Sequence, residues 1–115
     1  MVITIYHNPR CSNSRGALEA IRAAGHAPAV IEYLSQPPSR EALRRVIADA
    51  GLTVREAIRS KEAIYGELGL DKPELDDEAL LDAMVAHPAL INRPFVVTPK
   101  GTRLCRPPEL VQEIL

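Results

Sequence analysis

Apolar and polar positions recur along this chain with two different periods, and each change of period marks an element. Val2-Ile3-Thr4-Ile5-Tyr6 is a short apolar run with the β-branched and aromatic content of a buried strand. From Gly16 to Ala24 the positions Leu18, Ile21 and Ala24 return at helical spacing, and Gly25 supplies a stop. Between them lies His7-Asn8-Pro9-Arg10-Cys11-Ser12-Asn13-Ser14-Arg15, so the segment reads strand, tight loop, helix, with Cys11 at or just before the helix start. Ala29-Val30-Ile31-Glu32-Tyr33-Leu34 is a second strand. Strand, helix and strand within about 35 residues make one βαβ unit, with parallel strands and a right-handed crossover.

Pro37-Pro38 breaks the chain, and Ser39 is placed to cap a helix from Arg40 to Ala50 with Leu43, Val46 and Ile47 on one face; Gly51 closes it. Thr53-Val54-Arg55-Glu56 fits a capping box, predicting a helix from Val54 to about Lys61 that sets Arg55 and Arg59 one turn apart on the same side. Tyr65 to Pro73, with two glycines and a proline, reads as irregular connection. Asp76 or Asp77 caps a further helix with Leu80, Leu81, Met84 and Val85 as its buried stripe, ended by His87-Pro88. Phe95-Val96-Val97-Thr98, the turn Pro99-Lys100-Gly101, and Thr102-Arg103-Leu104-Cys105 predict a hairpin. Pro107-Pro108 opens a last helix, Glu109 to Leu115, with Leu110, Val111 and Ile114 inward. The order is βαβ, a helical insertion over about 37–90, then ββα: an α/β domain with a mixed sheet, single over 1–115.

Composition adds limits rather than detail. With 115 residues, 46% hydrophobic and 25% charged, the chain has the content of an ordinary globular domain. A net charge of −1 gives no reason to expect nucleic acid or an anionic membrane as partner. No apolar run approaches a membrane span, and a strand beginning at Val2 leaves no room for a signal peptide. Two cysteines far apart, without a secretory signal, point to the reducing cytoplasm rather than to a disulfide scaffold.

The chemistry centres on Cys11. A helix start offers unpaired N–H groups and the positive end of the dipole, and both favour thiolate, the nucleophilic form. Arg10, Arg15 and His7 stand close in sequence and would add to the effect. A free cysteine is ordinarily a small buried hydrophobe, but arginine, asparagine and serine around Cys11 argue against that fate. Cys11-Ser12-Asn13-Ser14 is C-x-x-S, so no resolving thiol lies one turn on, a local dithiol cycle is unavailable, and an external thiol is the straightforward substitute. Cys-x₃-Arg is two residues short of the phosphate-wrapping Cys-x₅-Arg loop of tyrosine phosphatases. Ser12 and Asn13 read as caps of the first helix, and Cys105 as structural or incidental.

A βαβ unit followed by ββα, with cysteine at the first helix start and Asn92-Arg93-Pro94-Phe95 before the third strand, resembles the thioredoxin-like fold, in which that proline is cis and faces the cysteine. Tyr6 to Arg15, Leu90-Ile91-Asn92-Arg93-Pro94, and Thr98 to Pro107 resemble the glutaredoxin-coupled arsenate reductase family, and the similarity runs over essentially the whole chain. The resemblance implies that Cys11 attacks arsenate, that Arg59, Arg93 and Arg106 bind the oxyanion, and that His7 and Ser14 help to lower the thiol pKa. It implies no bound cofactor or metal, with glutathione as co-substrate and glutaredoxin as partner. Two other readings stay open. Spx-type regulators share the fold and bind RNA polymerase, though they carry C-x-x-C where this chain has C-x-x-S. The other keeps the scaffold and the reactive thiol but not arsenate as physiological substrate: short family members of unassigned activity share an end just after the last helix, here Leu115, and a variable residue before the cysteine, here Arg10.

Overall fold

The computed structural model describes residues 2–115, which fall into two compact units: the chain up to Gln36 together with Arg93–Leu115, and Pro37–Asn92. The first unit is built on a sheet of strand order β2-β1-β3-β4. β1 (Thr4–His7) pairs in parallel with β2 (Ala29–Glu32) and antiparallel with β3 (Phe95–Thr98), which pairs antiparallel with β4 (Gly101–Leu104). α1 (Ser12–Ala23) is the crossover between the parallel strands. Gly25 ends it at φ 87°, a backbone conformation open to glycine at little cost. These directions are the ones the thioredoxin-like resemblance implies.

Register follows from one apolar face. Ile5 lies opposite Val96, and both are fully buried with Ile3, Ala17, Leu18 and Ile21 against Val111 and Ile114. A slip of one residue would turn that set outward. β1 starts two residues later than the apolar run predicts, because Val2 is exposed, and it takes in His7, which pairs with Glu32. β2 stops at Glu32, whose carbonyl accepts from both Ser35 and Gln36 N–H. Thr98 pairs with Gly101, so the hairpin loop is Pro99-Lys100 and Gly101 belongs to the strand.

The last helical segment, Pro108–Ile114, is a 3₁₀ helix rather than the α-helix expected over Glu109–Leu115. Its buried residues, Val111 and Ile114, are three apart, the spacing at which 3₁₀ side chains eclipse, and Leu110 is only half-buried. α1 approaches this segment so closely that a Cβ on Gly16 would meet the Pro108 ring at 3.1 Å. Gly16→Val is therefore expected to cost about 1–3 kcal/mol by overpacking. Urea unfolding should show a lower midpoint at unchanged slope; an unchanged midpoint would mean that Pro108 yields freely.

In the second unit, α2 (Arg40–Asp49) and α5 (Asp77–Ala86) start at the caps read from the sequence. Ser39 Oγ accepts from Ala42 N–H at 3.1 Å, and Asp76 Oδ1 from Ala79 N–H at 2.9 Å. The helices pack on each other, with Leu43, Val46 and Ile47 buried on one and Leu80, Leu81 and Met84 on the other; Val85 is half-buried. Arg40 and Arg44 reach Glu78, and Arg40 also reaches Asp82, but these pairs are exposed and secondary to the apolar stripe.

The capping box at Thr53 and Glu56 forms, yet α3 is a single turn, Val54–Ala57, and does not run to Lys61. Ile58 turns extended and bridges Ile91 antiparallel, Arg59 N–H donates to Leu90 O at 2.7 Å, and Asn92 N–H to Ala57 O at 2.9 Å. Long-range pairing thus takes the backbone groups that a longer helix would use. Arg55 and Arg59 consequently do not share a helix face. Arg55 donates to the carbonyls of Leu70, Lys72 and Leu75 and so organises that connection, whereas Arg59 Nε donates to Glu62 at 3.0 Å. The stretch read as irregular from Tyr65 begins inside a further short helix, α4 (Ala63–Glu67).

Candidate active site

Three strand ends converge at one edge of the first unit. Tyr6 pairs with Phe95 and Phe95 with Leu104, so the C-terminal end of β1, the N-terminal end of β3 and the C-terminal end of β4 lie side by side. The loop after β1 carries Cys11, the approach to β3 carries Arg93 and Pro94, and the exit from β4 carries Arg106. Cys105 N–H donates to Pro94 O at 2.8 Å and extends the ladder to that edge. The Arg93–Pro94 bond is cis, as the resemblance implies, and so is Arg106–Pro107.

The loop is held by its own polar groups. Asn8 is buried; its carbonyl accepts from Cys11 N–H, its Oδ1 from Arg10 N–H at 3.0 Å, and its N–H donates to Ser14 Oγ at 3.0 Å. Ser14 Oγ also lies 2.6 Å from Nδ1 of buried His7. Burial lowers the His7 pKa, against a smaller opposing effect of Glu32, so the ring is neutral near pH 7. Ser14 Oγ thus ties the His7 ring to the backbone of Asn8, a hydrogen-bonded link between the end of β1 and the first turn of α1. Arg15 is exposed and donates to Pro9 O at 2.9 Å, bracing the loop from outside.

Cys11 is itself the N-cap of α1, with extended backbone at φ −92°, ψ 123°. Ser12 and Asn13, read as caps, stand inside the first turn instead. Partial burial pushes the Cys11 thiol up, but Ser14 N–H, the Arg93 guanidinium, Asn13 N–H and the Arg106 guanidinium all donate to the sulfur and together bring it down to about 7. Arg106 Nη1 stands 3.6 Å from Sγ and also donates to Arg93 O at 3.0 Å. Against an ordinary thiol near 8.5, about 3% ionised at pH 7, a group with a pKa of about 7 is roughly half thiolate. Cys105 is the opposite case: fully buried in the apolar cluster, its thiol is pushed up to about 12 by burial. Both cysteines are free.

Iodoacetamide alkylation of Cys11 is accordingly expected to titrate with a midpoint near pH 7, while Cys105 stays unmodified in the folded protein. A midpoint at or above about 8.5 would contradict the activated thiolate.

The site therefore pairs a partly ionised sulfur with two guanidinium groups and a helix start, all suited to a small anion. Comparison with known proteins says which kind. The ArsC family matches residues 6–114. The chain belongs to the ArsC family. Among its relatives, the arsenate reductase of Rhizobium meliloti (strain 1021) is 62% identical over 115 residues, covering 100% of this chain and 82% of the relative. The arsenate reductase of Escherichia coli (strain K12) is 55% identical over 98% of this chain and 80% of its own length. The solved arsenate reductase from Vibrio cholerae superposes with a TM-score of 0.96 at 49% identity, covering 100% of this chain and 98% of that one. This ArsC-family chain has the thioredoxin-like α/β fold of those neighbours.

Among the described residues, no group of three or more His, Cys, Asp and Glu side chains could hold a metal ion, and no helix is long and apolar enough to cross a membrane. Two residues the sequence reading left without a role in the site, Asn8 and Asn13, turn out to be structural partners of the loop and of Arg106. The Asn8-Pro9 pair signalled a turn; Asn13 carried no signal that distinguished it from a cap.

Proposed function

We propose that this protein reduces arsenate to arsenite through a Cys11–arsenic adduct, with glutathione and glutaredoxin supplying the electrons in the cytoplasm. The observation that carries the reading is the contact of the Cys11 sulfur with Arg106, at 3.6 Å, in a chain 55–62% identical to arsenate reductases. Arsenate is largely dianionic at neutral pH and would be repelled by a bare thiolate. Guanidinium groups neutralise it and offer paired N–H donors that ammonium cannot match. Arg93 and Arg106 serve that role beside Cys11, and Arg59 is proposed as the third arginine on the resemblance alone.

In the proposed cycle the Cys11 thiolate displaces an arsenate oxygen, which leaves as water, and forms an S–As(V) bond. Glutathione adds to arsenic with loss of a second water. The glutaredoxin thiolate then attacks the glutathione sulfur; an S–S bond forms, the As–S(glutathione) electron pair stays on arsenic, and As(V) becomes As(III). Hydrolysis releases arsenite and returns the Cys11 thiolate. On the resemblance, Pro94 faces the sulfur, while His7 and Ser14 hold the first turn of α1, whose N–H groups reach Sγ. The C-x-x-S loop fits this cycle because it has no resolving thiol of its own.

The test is an assay coupling glutathione, glutaredoxin, glutathione reductase and NADPH. Arsenate-dependent NADPH oxidation that needs both glutathione and glutaredoxin is expected. No dependence on arsenate would overturn the reading, and turnover without glutaredoxin would overturn its choice of electron donor.

A further inference from the structure

Arg106 has to do two things at once: put one amino group on the sulfur and present another edge to the oxyanion. A guanidinium on a flexible stem does neither unless something fixes its rotation. Nη1 reaches Arg93 O at 3.0 Å and the sulfur at 3.6 Å, but both contacts are on one nitrogen and neither holds Nη2. The second point of attachment is Asn13. With its amide oxygen turned to Arg106, Asn13 accepts from Nη1 at 3.3 Å and Nη2 at 3.2 Å.

We propose that Asn13 is a positioning residue for the reaction: its side-chain oxygen clamps the Nη1/Nη2 end of Arg106, holds Nη1 on the Cys11 sulfur, and turns the Nε/Nη2 edge toward the oxyanion. This rests on the reading of Cys11 and Arg106 as a reactive pair. Asn13 stands two residues after Cys11 in the first turn of α1, so one short segment carries both the sulfur and the group that orients its guanidinium. The two ends of the guanidinium are thereby divided. The Nη1/Nη2 end is spent on protein acceptors, while Nε–H has no protein acceptor among the described residues and lies on the edge that binds two oxygens of one anion side-on. The charged groups facing the sulfur are Arg93 and Arg106; Asn13 is neutral, so it orients without adding charge.

Asn13→Ala separates this role from others. Alanine is the better helix former and keeps the backbone N–H that donates to sulfur, so the fold and that contact survive. Loss of one hydrogen-bonded clamp is expected to raise the arsenate KM about two- to tenfold and to move the Cys11 alkylation midpoint upward. The decisive measurement is the same substitution in an Arg106→Lys background, where no planar fork remains to be clamped. There Asn13→Ala should leave the alkylation midpoint unchanged. An equal shift in both backgrounds, or no change in midpoint or KM in the wild-type background, would overturn the proposal. The alkylation readout needs no arsenate. A midpoint shift confined to the Arg106 background supports the clamp even if the chain fails to turn over arsenate, which would sink only the proposed function.

Discussion

Cys11→Ser is expected to abolish arsenate-dependent NADPH oxidation, by at least about 10³-fold, without unfolding the protein. A serine hydroxyl is not ionised near neutral pH, and an arsenate ester on oxygen offers no S–As bond for thiol exchange. The fold is expected to gain slightly, because position 11 is the N-cap of α1 and serine is a preferred residue there, worth about 1 kcal/mol. The melting temperature should therefore stay level or rise while activity disappears. Turnover surviving at more than a few per cent would remove Cys11 from the chemistry. Unfolding would leave the loss unassigned, and Cys11→Ala, which lacks the capping oxygen, would then serve as the second variant.

Arg106→Ala is the other large effect. Arg106 touches the sulfur and, through Nη1, the carbonyl of Arg93, so its loss strikes both the thiolate and the anion site. Two charge-assisted contacts at about 1.5–3 kcal/mol each predict a fall in kcat/KM of about 10²–10⁴-fold near pH 7. The pH profile divides the two causes. A pKa depressed to about 7 keeps the reactive thiolate available from that pH upward and loses it as pH falls through 7. Without Arg106 the rise moves toward alkaline pH, so by pH 9 the part of the loss due to ionisation is recovered, and the part due to oxyanion binding persists as a raised KM. Arg106→Lys should restore more of the ionisation than of the KM, because it keeps the charge and loses the fork. A loss equal at every pH would show that Arg106 acts on arsenate alone.

The parts of this structure legible in the sequence are those set by local chemistry. Ser39, Thr53 and Asp76 announced their helices because a side-chain oxygen bonds an N–H three residues on, within a single turn. Cys11 announced itself because strand, loop and helix follow one another directly. What stayed hidden was decided by partners far away in the chain. Nothing in Val54 to Lys61 tells that Ile58 will pair with Ile91, yet that bridge ends α3 after one turn and points Arg59 at Glu62. The 3₁₀ form of Pro108–Ile114 is likewise set by how it packs under α1 and β4, not by its own apolar spacing, which an α-helix would also satisfy. Asn13 was misread for a related reason. Its sequence position fits a cap, while its side chain answers to an arginine 93 residues on.

In the proposed cycle, the N-cap position of Cys11 governs the end as well as the beginning. While sulfur is bonded to arsenic it is no longer an anion, and the first-turn N–H groups and the two arginines face a weaker acceptor. When the S–As bond breaks, those donors receive the departing thiolate, and a thiol of low pKa departs faster. In that proposed cycle the helix end that makes Cys11 a nucleophile also makes it a good leaving group, so product is let go as readily as substrate is taken hold of.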